Sequence, residues 1–239
     1  MTGNKLKIIA CITMLLDHVG YILFPKILVL RYFGRLALPL FAYLIAEGCY
    51  YTKNRLKYLL TIFILGIICQ ATFFIEGALN GGIKEYYFNI LFTLTFSIIL
   101  CYILLDLKNA VLQKNKAKCT KNVILLLLAF AIILFITEFL HKFVPVYFYV
   151  DYGIGGVILA PFAILFKNKW LKLISFTIAL TIFNLLTYKI LSYTWFSYFS
   201  IIPIILYNGK RGKRGVKYLF YAFYPLHLAV IYLIQFLIV

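Results

Sequence analysis

The chain has 239 residues, of which 64% are hydrophobic, 19% aromatic and only 13% charged. A soluble domain of this size needs a polar shell that so few charged residues cannot supply, so composition excludes a water-soluble globular fold. The formal net charge of +17 sits in short segments between apolar runs, as membrane topology requires, and no nucleic-acid-binding motif accompanies it; nucleic acid is not an expected partner.

Apolar runs of about the length that a ~30 Å hydrocarbon core demands recur along the chain. They cover residues 7–24, 32–51, 57–75, 87–107, 122–140, 151–166, 171–188, 193–207 and 218–238, the sixth and eighth being short. Lys5 and Lys7 precede the first run as in a signal peptide, but Asp17 and His18 interrupt it and no small-x-small cleavage site follows, so it is read as a retained span. Eighteen of the 24 Lys and Arg residues fall in alternate connecting segments: before 7–24, at 53–57, 108–121 and 167–172, and at 210–217. That asymmetry predicts a cytoplasmic N-terminus. The expected fold class is therefore all-α, a polytopic transmembrane helix bundle of about nine spans in a single integral-membrane domain over 1–239. Cys11, Cys49, Cys69, Cys101 and Cys119 form no Cys-x-x-Cys pair, and the three histidines are scattered; neither a disulfide framework nor a metal site is expected.

Ionisable groups inside the spans are the informative exceptions, because a charge at bilayer depth costs about 2.5–3.5 kcal/mol even on insertion scales. Asp17 and His18 lie in the outer half of span 1. Arg31 and Arg35, four apart and so on one helix face, open span 2. Asn89 and Thr93 open span 4, and Asp151 opens span 6. These independent runs place polar groups at a similar outer depth, where helices of a bundle can turn them into one chamber. His18 is a candidate general base there. Adjacent residues point about 100° apart on a helix, so either Asp17 or Asp151 could orient it. Arg31 and Arg35 could hold a carboxylate or an oxyanion. In the last span Tyr221, Tyr224 and His227 are three apart and share a face beside Pro225, which reads as cavity-lining. His141 reads as surface. The glycines after Asp151 read as a close-packing face.

On the inner side sit Glu47, Gly48, Thr52, Lys53 and Arg55 and, far along the sequence, Tyr207-Asn208-Gly209-Lys210-Arg211-Gly212. The glycines permit a tight turn with exposed amides and the bases can hold phosphate, although the P-loop spacing is absent.

Taken in order, the segments Asp17-His18-Val19-Gly20, Arg31 through Arg35-Leu36-Ala37, Pro39-Leu40-Phe41, Ile45-Ala46-Glu47-Gly48, Thr52-Lys53-Asn54-Arg55, Asn89 with Phe92-Thr93-Leu94, Asp151-Tyr152-Gly153 with Gly156-Val157, Tyr207 through Gly212, and Phe220-Tyr221 with Phe223-Tyr224-Pro225 and His227 resemble the TraX family. That group is named for the conjugal-transfer protein that acetylates the amino terminus of F-type pilin. The resemblance implies an acetyltransferase that uses acetyl-CoA. It also implies a distant similarity to membrane acyltransferase family 3, in which a membrane histidine supports acyl transfer from cytoplasmic acyl-CoA to acceptors on the outer side; His18 would take that place.

The expected function is a membrane-embedded acetyltransferase of the bacterial cytoplasmic membrane. It would move an acetyl group from acetyl-CoA to the amine or hydroxyl of a pilin-like N-terminus or a cell-surface molecule. His18, Asp17, Asp151, Arg31, Arg35 and His227 would form the reaction site. His18 would act as base or acyl carrier, an arginine would stabilise the oxyanion or hold the acceptor, and His227 would be a second acid or base. Thr52, Lys53, Arg55, Asn208, Lys210 and Arg211 would receive the acyl donor. Two rival classes carry the same polar groups: a transporter or channel, against which the lack of an internal repeat argues, and a non-catalytic pilus or conjugation assembly factor.

Overall fold

A computed structural model of the chain describes residues 1–79, 86–143, 148–187, 192–210, 212 and 217–238. In chain order the helices are α1 (Gly3–Ile22), α2 (Leu28–Gly34), α3 (Ala37–Tyr51), α4 (Arg55–Leu79), α5 (Ile90–Leu112), α6 (Lys116–Leu134), α7 (Gly153–Ala163), α8 (Lys169–Thr187), α9 (Ile201–Ile205) and α10 (Lys217–Ile238). A π-helical turn (Phe135–Phe139) and a 3-10 turn (Leu140–Lys142) extend α6, and a 3-10 stretch (Ser192–Ser200) leads into α9. The fold is all-α apart from one small feature. Two short strands, β1 (Tyr86–Phe88) and β2 (Phe148–Val150), pair in parallel with Phe88 opposite Val150.

Local chemistry sets several boundaries. Asn89 and Asn115 cap α5 and α6, their side chains accepting from the backbone N–H of Leu91 and Lys118. The run predicted as one span over 32–51 lies within one candidate span, Leu28–Tyr51, that contains a turn at Arg35–Leu36 between α2 and α3. Pro39 falls in the first turn of α3, where its missing N–H removes no helical bond; an unbroken helix would have lost the bond from residue 39 to Arg35.

Six of the helical segments are long and apolar enough to cross a membrane: Leu28–Tyr51, Arg55–Ile75, Ile90–Leu112, Lys116–Lys142, Lys169–Thr187 and Phe220–Leu237. The other three of the nine predicted runs fall short for separate reasons. Helix α1 has the length but carries Lys5, Lys7 and Asp17. The 11-residue α7 is only about 16 Å long, and the run ending in α9 is largely 3-10. The outward faces of α4, α6 and α10 carry Ile64, Ile67, Leu127, Ile132, Leu233 and Phe236, each half exposed or more. Contiguous apolar surface of this kind belongs against lipid, where helices satisfy their own backbone groups.

Helices α1, α3, α5 and α7 form the centre. Helix α3 packs on α1, α5 and α7, while α5 also meets α4 and α6, α8 covers α7, and α10 bridges α1 and α4. Leu6, Leu40, Ile98, Leu159, Phe176 and Leu228 are fully buried between them. Polar bonds tie the centre together. The Asn89 amide donates to the Gly66 carbonyl at 2.9 Å and to Gln70 at 3.1 Å, and the Ser97 hydroxyl donates to the Val157 carbonyl at 2.8 Å. The α5–α7 approach depends on Gly156, where an added Cβ would lie 3.0 Å from Thr93 Cγ2 and 2.7 Å from Tyr152 Cβ. Gly156→Val should therefore cost about 1–3 kcal/mol by overpacking, read as a lower thermal midpoint in detergent.

Candidate functional site

Near the end of α1, Asp17 is buried against the α2–α3 junction. One terminal nitrogen of the Arg35 guanidinium donates to both Asp17 carboxylate oxygens, at 2.5 and 2.6 Å. Arg31 reaches the same carboxylate at 3.0 Å and donates to the Asp17 backbone carbonyl at 3.2 Å. The four-residue spacing thus delivers both guanidiniums to one anion, as the sequence predicts. Gly34 makes the room: a Cβ there would fall 2.2 Å from Asp17 Oδ1. Arg35 also lies between the rings of Tyr152 and Tyr193, at 5.9 and 5.7 Å. Its Nε is buried without a hydrogen-bond partner among the described residues.

His18, next along α1, turns away from this cluster and meets α10. Its Nδ1 is 2.9 Å from Nε2 of His227, and Nδ1 of His227 is 2.8 Å from the Phe223 carbonyl oxygen. Phe223 stacks on the His227 ring at 5.0 Å, while Tyr224 stands edge-on to His18 and His227 at 6.4 and 5.5 Å. The partner of the His18 ring is therefore a second imidazole, where the sequence suggested a carboxylate. Asp17 is turned to the arginines because two cations outcompete a neutral ring for a buried anion. It remains, with Arg31, Arg35 and His227, within electrostatic reach of His18.

Asp151 lies in the turn between β2 and α7. Its backbone N–H donates to the Phe88 carbonyl at 2.9 Å, its carbonyl accepts from the Thr93 hydroxyl at 2.5 Å, and its side chain is within electrostatic reach of Tyr152 and Tyr224. His141 is exposed in the 3-10 turn after α6. Among the described residues no group of three His, Cys, Asp or Glu side chains is placed to hold a metal ion.

Below the histidines lies a largely apolar cavity of about 520 Å³. Gly3, Lys7, Thr52 and Gly209 line it near the N-terminal end of the bundle, and Met14 and Tyr224 line it at depth. Gly3 to Met14 is about 17 Å along α1. Met14 is one turn before His18 and Tyr224 is three residues before His227, so the cavity lining reaches to within one helical turn of the imidazole pair. At the mouth, the N-terminus clasps the segment after α9. The Met1 ammonium donates to the Leu206 carbonyl at 2.7 Å, Gly3 N–H to the Lys210 carbonyl at 2.8 Å, and Asn208 N–H to the Met1 carbonyl at 3.0 Å. Glu47 supports that wall, accepting from Lys172 at 2.6 Å and from the Tyr207 hydroxyl at 3.3 Å.

The expected donor-binding residues divide here. Thr52 lines the cavity. Asn208 shapes its mouth, its side chain accepting from Lys210 N–H at 3.1 Å, and Lys210 is exposed beside it. Lys53 is exposed outside the lining, and Arg55 is held by Asp106 at 2.6 Å over the Tyr102 ring. Arg211 lies outside the described residues. Lys7 lines the cavity, its ammonium 5.4 Å from the Phe220 ring, although the sequence suggested only a topological role for it. Its signal was periodicity: Gly3, Lys7, Met14 and His18 recur on one helical face.

A family model described as "TraX protein" matches residues 2–235. The chain belongs to the TraX family. It is also 37% identical over 70 residues to "Probable fimbrial assembly protein FimC, serogroup H1" of Dichelobacter nodosus, covering 28% of this chain and 29% of that protein. A second relative is "Uncharacterized protein RP591" of Rickettsia prowazekii (strain Madrid E), 34% identical over 67 residues, covering 28% of this chain and 25% of that protein. The match thus spans under a third of either relative. No solved structure matches.

In this TraX-family chain, then, a membrane helix bundle sets an imidazole pair between a doubly paired carboxylate and a cavity. The carboxylate is the sensitive point. Arg35→Ala leaves Asp17 buried with Arg31 alone and should cost about 3–5 kcal/mol, whereas pairing it with Asp17→Asn should restore part of the loss. A double-mutant cycle on thermal midpoints in detergent measures that coupling.

Proposed function

We propose that the protein is a membrane acetyltransferase that moves an acetyl group from acetyl-CoA to an amine or hydroxyl acceptor. The observation that carries this reading is the junction of the cavity with the imidazole pair: Met14 and Tyr224 line the cavity within one turn of His18 and His227. The cavity has the size of a small-molecule site, apolar walls suited to a slender amide-bearing arm, and Lys7 near its mouth for a phosphate. A cytoplasmic N-terminus, in the cytoplasmic membrane of a bacterium, would turn that mouth to the cytoplasm and the Asp17–Arg31–Arg35 cluster toward the other side. Membership of a family associated with pilin acetylation favours the same chemistry.

Bound acetyl-CoA supplies an activated acyl carbon. The chain's own residues do the rest. His18 takes the proton from the acceptor as its nitrogen or oxygen bonds to the acyl carbon. The Arg31–Arg35 cluster offers positive charge to the oxyanion that develops. As the carbon–sulfur bond breaks, the thiolate recovers the proton from His18, so free CoA and the acetylated acceptor leave with every atom accounted for. The acceptor is a pilin-like N-terminus or an envelope molecule.

A second reading, a non-catalytic assembly factor, has one observation behind it: the partial similarity to a relative described as a fimbrial assembly protein. Labelled acetyl-CoA separates the two. Purified protein with a short peptide bearing a free N-terminus should transfer label, and His18→Ala should lower the rate by about 10²–10⁴-fold. Equal transfer in the variant would remove His18 from the reaction, and no transfer or binding by wild type would favour the assembly factor.

Donor binding has its own test. Saturating acetyl-CoA, at about 100 times its Kd, should stabilise the protein by about 2.7 kcal/mol. Lys7→Glu should weaken that stabilisation and raise KM for acetyl-CoA more than it lowers kcat. An unchanged KM would place the phosphates elsewhere.

A further inference from the structure

Resting on that reading, we infer that His227 is a positioning residue that fixes His18 in one tautomer and thereby makes Nε2 of His18 the atom that handles the proton. The Phe223 carbonyl oxygen has lone pairs and no hydrogen, so the 2.8 Å contact to Nδ1 of His227 requires Nδ1 to carry the proton. A neutral imidazole has one N–H, so Nε2 of His227 is then bare and can only accept. Its contact at 2.9 Å is Nδ1 of His18, which must be the donor. Nε2 of neutral His18 is left with its lone pair free. One backbone carbonyl thus sets both tautomers in turn, as the orienting acid sets the histidine of a hydrolase triad.

Two further features hold the arrangement. Phe223 stacks flat on the His227 ring, at 7° between planes, so the residue whose carbonyl accepts that bond also fixes the ring's rotation. Tyr224 is edge-on to both imidazoles and lines the deep end of the cavity, so the pair is oriented at the place where the cavity stops. When Nε2 of His18 accepts the acceptor's proton, the imidazolium keeps Nδ1–H on the His227 lone pair, and that bond becomes charge-assisted. The proton returns from Nε2 to the departing thiolate, and His227 ends each cycle as it began. His227 therefore works without touching substrate, which replaces the second acid or base expected from sequence.

Nitrogen-15 spectra of histidine-labelled protein in detergent test the assignment without any turnover. His18→Gln and His227→Gln variants assign the signals. The expected result is a protonated Nδ1 and a bare Nε2 on both His18 and His227, an order opposite to that usual for a free imidazole. His227→Gln presents an amide oxygen near the position of Nε2, so it should keep the His18 tautomer and most acetyl transfer to the free-amine peptide. His227→Phe removes the acceptor; it should release the His18 tautomer and lower transfer by about 100-fold or more, toward the loss that a wrong tautomer causes in triad enzymes. A proton on Nε2 of His18 in the wild-type protein overturns the inference, as does a Phe variant with wild-type tautomer and rate. Expected tautomers in a wild-type protein that transfers no acetyl would support the order of the pair and overturn the acetyltransferase reading instead.

Discussion

A carboxylate buried among helices of a membrane protein must be compensated, and in this bundle the compensation of Asp17 orders what surrounds it. Two guanidiniums from one turn of chain converge on a single anion. Their spacing requires α2 to end beside α1, and the close approach requires Gly34. Once Asp17 faces the arginines, helical geometry sends the neighbouring His18 about 100° away. That direction leads to α10 and His227. The ion cluster and the imidazole pair are thus two consequences of one dipeptide held in one orientation.

The same frame explains why the cavity stops where it does. Helix α1 carries Gly3, Lys7 and Met14 along one face toward His18, and α10 carries Phe220, Tyr221 and Tyr224 toward His227. The two faces line the cavity as far as Met14 and Tyr224, each within one turn of a histidine. At the opposite end, Glu47 joins α3 to α8 and to Tyr207, while Met1 and Gly3 bond to the segment after α9. The mouth is therefore built by backbone bonds and one partly buried ion pair, and the deep end by apolar side chains and the Tyr224 ring.

Much of this was legible in the chain. Apolar runs marked the helices because lipid imposes both a length and a composition. Arg31 and Arg35 shared a face, and Tyr221, Tyr224 and His227 shared another, because the 3.6-residue period is local. Pro39 bears on the turn at Arg35–Leu36, because it has no N–H to give the Arg35 carbonyl. Other features had no local trace. Arg55 carries the charge suited to a phosphate, yet Asp106, 51 residues away, holds it. Lys7 looked like a topology signal, and only the packing of α10 and the clasp at residues 206–210 placed it on a cavity.

Sequence alone determined the solvent of this protein, its helical class, the faces of individual helices and the inventory of ionisable groups, all properties that follow from composition and from a period of a few residues. Which of those groups meet was decided by tertiary structure. His18 and His227 are 209 positions apart, and either could have faced a carboxylate. Their contact exists because Asp17 is claimed by two arginines on one side while α10 packs on α1 on the other, and competition of that kind among buried charges is settled only when the helices are in place.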